Sequence, residues 1–381
     1  MKKLSLYIHI PFCEKKCAYC DFLSGPSGPR EREQYTEALC QEIWQEGKKQ
    51  QDYIVDTVFF GGGTPSLLTP VEVTRIMEDL GQSFTIEETA EITMEVNPGT
   101  VNREKLEAYR DLRINRLSIG LQSMNNRQLK ELGRIHTRED FLETWEEVRL
   151  LGFRNVNVDI MAALPGQTIE SYRTTLEEVL WLKPEHISAY SLIIEEGTPF
   201  FERFGPEKAE EDRLPSEEED RAMYELTGRL LQEAGYNRYE ISNYSRPGYE
   251  CRHNLGYWTG KEYLGLGLGA SSFMENKRFS REEELSAYMK KIKEGESTVI
   301  WQQDLSLKER MEEFMFLGLR CTEGISLEEF RRRFLVELET IYGKQLNELK
   351  HRGLITVTKA GRIALTSLGL DVSNQVFVEF L

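Results

Sequence analysis

Three of the six cysteines of this 381-residue chain fall close together in the stretch YIHIPFCEKKCAYCDF. Cys13, Cys17 and Cys20 have the spacing C-x3-C-x2-C, which presents three thiols from one short loop. Thiolates bind zinc and iron–sulfur clusters, and both kinds of centre normally take four protein ligands. A cluster that is held by three cysteines keeps one iron open for an exchangeable ligand. We therefore expect these cysteines to bind a [4Fe–4S] cluster with one open iron.

Zinc is the alternative occupant of this loop. A structural zinc site is tetrahedral, and His9 is the nearby residue that could supply a fourth ligand. No second pair of ligands follows at the spacing that zinc modules use, which disfavours zinc. The other cysteines, Cys40, Cys251 and Cys321, are scattered, as is typical of small buried residues.

Alternating strand and helix patterns must position the cysteine loop. Strands are predicted at 4–10, 55–60, 90–96, 116–123, 155–161 and 186–194. Helices are predicted at about 30–50, 69–82, 102–111, 125–150, 168–182 and 216–234. Repeated alternation of this kind favours parallel strands covered by helices. Because a closed barrel needs eight such units, we predict an open, partial (β/α)6 barrel, with a doubly wound sheet as the alternative.

Polar residues recur along one face of several of these strands. Successive side chains of a strand point to opposite faces, so residues two positions apart share a face. The polar sets are Tyr7 and His9; Glu91, Thr93 and Glu95; and Asn155, Asn157 and Asp159. Ordinary small barrels fill their lumen with branched apolar residues. If the apolar faces meet the helices, these polar faces line a lumen that holds something polar.

The character of the sequence changes after about residue 300. The last part reads as two helices joined by a turn, then a helix, a small hairpin and a closing helix, which is typical of a winged-helix-like α+β domain. We predict three parts: a barrel over 1–235, a connecting segment with an HNxxYW motif over 236–300, and the winged-helix-like domain over 301–381. Winged helices often bind DNA, but a docking or lid role is favoured here.

Composition limits the location and the partners of the chain. The net charge of −16 disfavours nucleic-acid binding, which needs a basic surface. No apolar run approaches the ~20 residues of a membrane span. His9 and Pro11 interrupt the apolar start, unlike a signal peptide. We therefore predict a cytoplasmic protein with reduced thiols that can bind metal.

Motifs over essentially the whole chain resemble one family. The cysteine loop after a first strand resembles that of radical S-adenosylmethionine (SAM) enzymes, in which the open iron binds SAM and an electron from the cluster releases a 5′-deoxyadenosyl radical. The resemblance is to the branch that contains oxygen-independent coproporphyrinogen III oxidase and the HemW-type heme chaperones. Its other motifs are FFGGGTPS, EVNPG, RLSIGLQS, LGRIH, VNVDIMAALPGQT and CRHNLGYW. The resemblance implies a [4Fe–4S] cluster and SAM as cofactors.

The same resemblance implies which residues contact SAM. They are Tyr7, Gly62, Gly63, Thr64, Glu95, Gln122, Arg134 and Asp159. Glycines let the backbone approach a ligand closely, and the ends of barrel strands are where β/α barrels place their sites. Arg134 could bind a carboxylate through two parallel hydrogen bonds. The structural alternatives are a plain strand-to-helix turn for the glycines and a satisfied core aspartate for Asp159.

Two departures separate this chain from the oxidase pattern. Phe22 stands where the oxidase has a fourth cysteine, and few residues precede Tyr7, where the oxidase has a long N-terminal segment. Both features, and HNLGYW, resemble the HemW type, which binds heme and passes it to acceptor proteins. We therefore predict a heme chaperone and assign no catalytic residue, with oxidative decarboxylation of coproporphyrinogen III as the alternative function.

The HNLGYW motif is linked to heme handling in that family. A porphyrin favours aromatic surfaces and an axial ligand such as His or thiolate. His253 is thus the candidate iron ligand and Cys251 a second, with Tyr257 and Trp258 as aromatic contacts. Packing of this motif under the barrel is the alternative. The resemblance also implies heme-accepting partners, among them membrane-associated respiratory enzymes, and an external electron donor.

Overall fold

The computed structural model describes residues 1–381, and its fifteen strands form two sheets. The first six strands are β1 (Lys2–Ile10), β2 (Tyr53–Gly62), β3 (Ile86–Val96), β4 (Arg116–Gln122), β5 (Val156–Ala162) and β6 (His186–Ser191). Six further strands of the same sheet are β7 (Asn237–Arg238), β8 (Asn243–Ser245), β9 (Tyr263–Leu266), β10 (Ser271–Met274), β11 (Lys277–Arg281) and β12 (Val299–Asp304). The small second sheet contains β13 (Ile325–Ser326), β14 (Ile355–Val357) and β15 (Arg362–Leu365).

Fifteen α-helices connect and cover these strands. Those up to residue 240 are α1 (Pro29–Gly47), α2 (Pro70–Ser83), α3 (Arg103–Asp111), α4 (Asn126–Glu131), α5 (Arg138–Leu150), α6 (Ile169–Leu182), α7 (Pro199–Phe204) and α8 (Glu217–Glu233). The later helices are α9 (Arg252–Trp258), α10 (Leu285–Glu294), α11 (Leu307–Gly318), α12 (Leu327–Phe334), α13 (Leu338–His351), α14 (Ser367–Asp371) and α15 (Ser373–Val378).

The order of the first six strands confirms the partial barrel. Strands β1 to β6 are neighbours in chain order and pair in parallel throughout. A doubly wound sheet reverses its strand order at one point, and no reversal occurs here. Because every crossover runs the same way, the carboxyl ends of all six strands meet at one mouth.

The two faces of the barrel strands differ as the alternation predicts. On β1, Leu4, Leu6, Ile8 and Ile10 are fully buried in the core that the strands share with the outer helices. The opposite faces of β3, β4 and β5 carry polar side chains into the lumen. Burial of the apolar faces fixes the register, since a slip by one residue would exchange the two faces.

One predicted helix is wrong in extent. The stretch 125–150 forms two helices, α4 and α5, separated by 132–137. Gly133, with φ of +77°, ends the first because this left-handed conformation cannot continue a helix. Thr137 and Asp140 start the second with reciprocal capping hydrogen bonds. The break places the LGRIH stretch at the mouth of the barrel.

Residues 236–300, predicted as a connecting segment, extend the barrel sheet at both edges. Strand β8 pairs antiparallel with β6, and β9 pairs parallel with β1. Strands β10 to β12 continue the sheet beyond β9. Leu264 and Leu266 of β9 are buried in the same core as the barrel strands, so this segment packs as part of the barrel layer.

The C-terminal part has a hydrophobic core of its own, formed by residues from Met311 to Phe380. It contains the predicted helix–turn–helix and hairpin, while the predicted closing helix is divided into α14 and α15. A bidentate ion pair between Arg278 and Glu313, at 2.6 and 3.0 Å, attaches it to β11. No helix of the chain combines the length and the apolar character that crossing a bilayer requires.

Candidate functional site

The cysteine loop leaves β1 and is held at both sides. Backbone hydrogen bonds between Cys13 and Gly25 and between Gly25 and Pro11, each 2.9 Å, close its base. The amide of Ala18 donates to the carbonyl of Leu132 at 2.9 Å, which ties the loop to the end of α4. Gly133 is required beside it, because a Cβ there would lie 3.2 Å from the Ala18 nitrogen. The three cysteines are free and partly exposed.

A cavity of about 450 Å³ lies at the carboxyl ends of the barrel strands, and we call it the upper cavity. It brings together ten of the eleven residues predicted to bind the cluster or SAM. These are Cys13, Cys17, Cys20, Gly62, Gly63, Thr64, Glu95, Gln122, Arg134 and Asp159. Residues that lie up to 146 positions apart along the chain thus converge on one space.

Tyr7 is the predicted SAM residue that does not line the upper cavity. Its ring stacks on Phe59, with ring centroids 6.4 Å apart, and its hydroxyl lies 3.1 Å from Nδ1 of His9. Phe59 does line the cavity. Tyr7 therefore supports the cavity wall from below, and direct contact with SAM stays a prediction.

A chain of hydrogen bonds joins two of the three cysteines. The Thr64 hydroxyl lies 3.5 Å from the Cys13 sulfur, and Asn97 Nδ2 donates to that hydroxyl at 2.7 Å. Arg134 Nη2 donates to Asn97 Oδ1 at 2.6 Å, while Nη1 of the same arginine lies 3.8 Å from the Cys17 sulfur. This arc of five residues fixes the positions of the thiols relative to the barrel.

Glycines in the GGGTP loop allow a close approach of backbone segments. Gly62 has φ of +111°, and a Cβ on it would lie 2.6 Å from the ring of His9. A Cβ on Gly63 would lie 2.6 Å from the carbonyl oxygen of Phe12. The Gly62 amide donates to Glu95 at 3.2 Å. The loop is thus packed against the base of the cysteine loop, and larger residues would separate the two.

Two carboxyl groups line the upper cavity. Burial, together with the negative charge of Asp159, raises the pKa of Glu95 to about 8. Burial raises the pKa of Asp159 as well, although hydrogen bonds from Asn157 and from serines oppose the shift. Asn157 Nδ2 donates to Asp159 at 2.8 Å. These carboxyl groups would gain from a cationic ligand, because a positive charge favours their ionised forms.

Gln122 ends β4 in a conformation that few residues adopt. Its φ is +69°, and the pairing of β4 with β5 shifts register at this point. Non-glycine residues in this region cost of order 1–3 kcal/mol and cluster at functional sites. The turn directs the buried side chain toward the upper cavity.

The loop fits a cluster better than it fits zinc. His9 is not free to complete a zinc site, because its ring nitrogens lie 3.1 Å from the Tyr7 hydroxyl and 3.0 Å from the Leu23 carbonyl oxygen. No three His, Cys, Asp or Glu side chains converge on a point that one metal ion could occupy. A cluster binds each thiolate at a different iron and needs no such convergence. The three thiols and the cationic Arg134 suit an anionic iron–sulfur group.

The HNLGYW motif forms α9, which closes the opposite end of the barrel. Glu91 anchors its start by accepting hydrogen bonds from the amides of Arg252 and His253, at 3.1 and 3.0 Å. A carboxylate at this position also interacts favourably with the positive end of the helix dipole. The helix therefore depends on a lumen residue of β3.

His253 is enclosed on all sides. Nδ1 lies 2.9 Å from the Thr57 hydroxyl, Nε2 lies 2.9 Å from the Tyr257 hydroxyl, and the ring stacks on Phe59. Burial, with the charges of Lys261 and Arg116, lowers the pKa of His253 to about 3. Ligation of iron by this residue stays a prediction, and it requires breaking one of these hydrogen bonds.

The other three residues predicted to contact heme divide between two environments. Cys251 is fully buried, and burial raises the pKa of its thiol to about 12. Tyr257 and Trp258 line a second space of about 1080 Å³, which we call the lower cleft. This cleft lies between the amino ends of the barrel strands and the C-terminal domain.

Several lumen residues were missed by the sequence reasoning. Asn97 lies at the centre of the hydrogen-bond arc, and Arg116 is buried in the wall of the upper cavity with an Nε that has no hydrogen-bond partner. Tyr190 and Asn254 line the same cavity. Asn97 belongs to the EVNPG motif, and Arg116 is two and four residues from Ser118 and Gly120, which also face the cavity. Strand alternation could therefore have indicated Arg116.

Comparison with known proteins identifies relatives over the full length of the chain. Residues 7–179 match the radical SAM superfamily, and residues 305–372 match the HemN C-terminal domain. Heme chaperone HemW of Lactococcus lactis subsp. lactis (strain IL1403) is 36% identical over 100% of this chain and 98% of its own length. Heme chaperone HemW of Bacillus subtilis (strain 168) is 33% identical over 99% of both chains.

A solved structure shares the whole fold. The coproporphyrinogen III oxidase (HemN) from Escherichia coli, a radical SAM enzyme, has a TM-score of 0.87 over 100% of this chain and 90% of that chain. The two sequences are 24% identical. At that identity the likeness establishes the fold, and function has to be argued from the site.

Proposed function

Because this chain belongs to the radical SAM superfamily, and within it to the family of HemW-type heme chaperones, we propose that it binds heme and passes it to acceptor proteins. The observation that carries the proposal is the identity of 33–36% with heme chaperones, which spans both domains. Acceptors include respiratory enzymes, and an external electron donor serves the cluster.

The upper cavity is the proposed site of both cofactors. Cys13, Cys17 and Cys20 would hold a [4Fe–4S] cluster, and the predicted SAM residues surround the space beside it. When bound together, a reduced cluster and SAM supply one-electron chemistry. In this proposal Arg134 and the Gly62–Thr64 loop bind the polar end of SAM, while Glu95 and Asp159 accept hydrogen bonds from its cationic or hydroxyl groups.

Phe22 supports a chaperone over the oxidase alternative. It is 63% exposed and lines the upper cavity beside Cys20, at the position where the oxidase pattern has its fourth cysteine. An exposed apolar side chain cannot act as a thiol ligand or donor there. Coproporphyrinogen III decarboxylation is the result that would overturn the chaperone function.

Two assays on one preparation test this function. After anaerobic reconstitution of the cluster, the protein is loaded with hemin and mixed with apomyoglobin, and transfer is followed by the visible spectrum of the acceptor. The same protein is incubated with reductant, SAM and coproporphyrinogen III, and products are separated. We expect heme transfer and no vinyl product over many turnovers.

The two assays fail in different ways. Multiple turnovers to the vinyl product would replace the chaperone by the oxidase. Absence of both hemin binding and vinyl product would reject both functions, provided that iron and sulfide analysis shows an intact cluster.

A further inference from the structure

The lower cleft is a large space that lies apart from the proposed cluster and SAM site. Its volume of about 1080 Å³ lies just above the usual range of small-molecule sites, which is roughly 300–1,000 Å³. One wall is the end of α9 and strands β9 to β11, and the other is helices α11 and α12 of the C-terminal domain. Sites between two domains are common for ligands that must be released, because a small domain motion opens them.

The barrel wall of the cleft carries a continuous aromatic row. Trp258 and Tyr257 have ring centroids 6.4 Å apart, Tyr257 meets Tyr263 edge-on at 4.6 Å, and Tyr263 lies 6.5 Å from Phe273. All four rings line the cleft. The opposite wall presents Phe314 and Phe334. Two facing aromatic walls suit a flat, conjugated ligand.

The rim next to the C-terminal domain carries both arginines and glutamates, and its arginines differ in whether a carboxylate neutralises them. Arg310 lines the cleft and forms no ion pair, with its guanidinium 5.9 Å from the Phe334 ring. Arg333 also lines the cleft and forms an ion pair with Glu329. The buried indole N–H of Trp258 has no acceptor. Arg310, which forms no ion pair, therefore suits a ligand that ends in a carboxylate.

The cleft offers no histidine to a bound iron. His253 lies behind Tyr257, with both ring nitrogens in hydrogen bonds. Cys321 lines the cleft, but burial raises the pKa of its thiol to about 12, so the thiol is protonated at neutral pH. An aromatic space of this kind, with an unpaired arginine at its rim, suits recognition of the ring and the acidic side chains of a ligand without a histidine on its metal.

We propose that the lower cleft binds the heme cargo, and that it holds the porphyrin by its ring and propionates without a histidine ligand to the iron. This inference rests on the proposed heme-chaperone function. Tyr257 and Trp258 keep their predicted role as ring contacts, whereas His253 and Cys251 hold the wall behind them. Release to an acceptor then needs no iron–histidine bond to break, which suits a carrier.

Titration with two porphyrins tests the proposal on the reconstituted full chain. Hemin and iron-free protoporphyrin IX are each added to the wild type, and binding is followed by the Soret band and by tryptophan quenching. We expect the two dissociation constants to agree within roughly tenfold, about 1.4 kcal/mol. The variant R310Q/R333Q should bind both porphyrins at least roughly tenfold more weakly.

A neighbouring arginine provides the matched control. Arg332 also pairs with Glu329, from the same helix, but it does not line the cleft. The variant R310Q/R332Q loses the same charge as R310Q/R333Q but keeps Arg333. A difference in porphyrin affinity between the two variants therefore reports the contribution of Arg333, which lines the cleft. Circular dichroism and iron content confirm that each variant is folded.

The outcomes separate the inference from the function on which it rests. If the wild type binds neither porphyrin, the proposed function fails. If it binds hemin, but R310Q/R333Q binds hemin as tightly, heme lies elsewhere and the inference is wrong. If hemin binds and protoporphyrin IX does not, iron ligation dominates and the metal-independent mode is wrong. The variant H253A gives a further test. If it weakens the Soret shift of hemin but leaves the binding of protoporphyrin IX unchanged, His253 is the iron ligand and the metal-independent mode is wrong.

Discussion

The two ends of the barrel differ in how their residues are brought together. The upper cavity is lined by lumen-facing residues of the barrel strands and by short segments that follow individual strands, such as the cysteine loop after β1 and the glycine loop after β2. The lower cleft takes its walls from α9, from β9 to β11 and from the C-terminal domain, so that it forms only when two hydrophobic cores pack together. The upper end is polar and carries thiols, and the lower end is aromatic with the unpaired Arg310 at its rim.

This difference suggests a division of labour. Loops on a rigid barrel can hold a cofactor in fixed geometry, whereas a space between domains changes its width when the domains move. Substitutions at one end should therefore affect its own ligand and leave the other ligand unchanged. Single substitutions in the upper cavity and in the wall between the two spaces test that separation.

Replacement of Cys17 by alanine should abolish the cluster. The wild type should contain roughly four irons and four sulfides per chain after reconstitution, as one cubane requires, and C17A should contain almost none. Hemin binding should be unchanged, because Cys17 lies at the other end of the barrel. The control is C40A, at a buried cysteine of α1, which should keep its iron. Loss of hemin binding in C17A would show that hemin binding depends on the cluster, and it would contradict the independence of the two ends.

Replacement of Glu91 by glutamine should destabilise the wall between the two spaces. Glu91 accepts two hydrogen bonds from the first turn of α9, and hydrogen bonds to a charged group contribute about 1.5–3 kcal/mol. We expect the free energy of unfolding in urea to fall by roughly 2 kcal/mol. The exposed Glu88 of the same strand provides the control E88Q, for which a change within about 0.5 kcal/mol is expected. Equal stability of the two variants would show that α9 is held by other contacts.

Replacement of Asp159 by alanine should weaken SAM binding and leave the iron content unchanged. Loss of a buried polar partner costs about 1–3 kcal/mol, which corresponds to roughly tenfold or more in the dissociation constant. Equilibrium dialysis with SAM measures the effect, and hemin titration of the same variant should match the wild type. An unaltered SAM affinity would make Asp159 a structural residue of the lumen.

Replacement of Glu95 by glutamine should reduce the pH dependence of stability, which is the smallest effect. The pKa of Glu95 is raised from 4.5 to about 8 by burial and by Asp159, while a hydrogen bond from Gly62 and the charge of Arg116 oppose the rise. The folded chain then keeps this proton when the unfolded chain has lost it, so its contribution is full below about pH 4.5 and declines as the pH rises toward about 8.

The measurement for Glu95 is the difference in stability between two pH values. From pH 7 to pH 8 the free energy of unfolding of the wild type should fall by up to about 1 kcal/mol more than that of E95Q. Parallel curves for the two proteins would mean that Glu95 is already ionised in the folded chain.

The upper cavity could be predicted because its determinants are local in sequence. The thiol spacing and the glycine run are each contained in a few residues, and strand alternation by itself assigns Glu95 and Asp159 to the lumen. The break of the predicted helix at 132–137 was missed because Gly133 was not recognised as a helix end. Asn97 was missed because its role depends on Thr64 and Arg134, which approach it only in three dimensions.

The lower cleft could not be predicted, because no short stretch contains it. Trp258, Phe273 and Phe314 are far apart in sequence, and their proximity follows from how the C-terminal domain packs on β11. The HNLGYW motif indicated a function for α9, but the sequence could not tell that Asn254 and Tyr257 face different spaces. Residues 236–300 were interpreted as a connection because their short strands lack the regular alternation with helices.

One helix of seven residues separates the two spaces, with Asn254 at the upper cavity and Tyr257 and Trp258 at the lower cleft. Hydrogen bonds also run from Asp159 through Asn157 and His186 to Tyr239, which lines the cleft. A ligand in one space that displaces α9 changes the affinity of the other space for its own ligand. Thermodynamic reciprocity then requires the second ligand to change the affinity for the first by the same factor. If both ligands bind as proposed, whatever SAM does to the retention of heme, heme must do in equal measure to the retention of SAM.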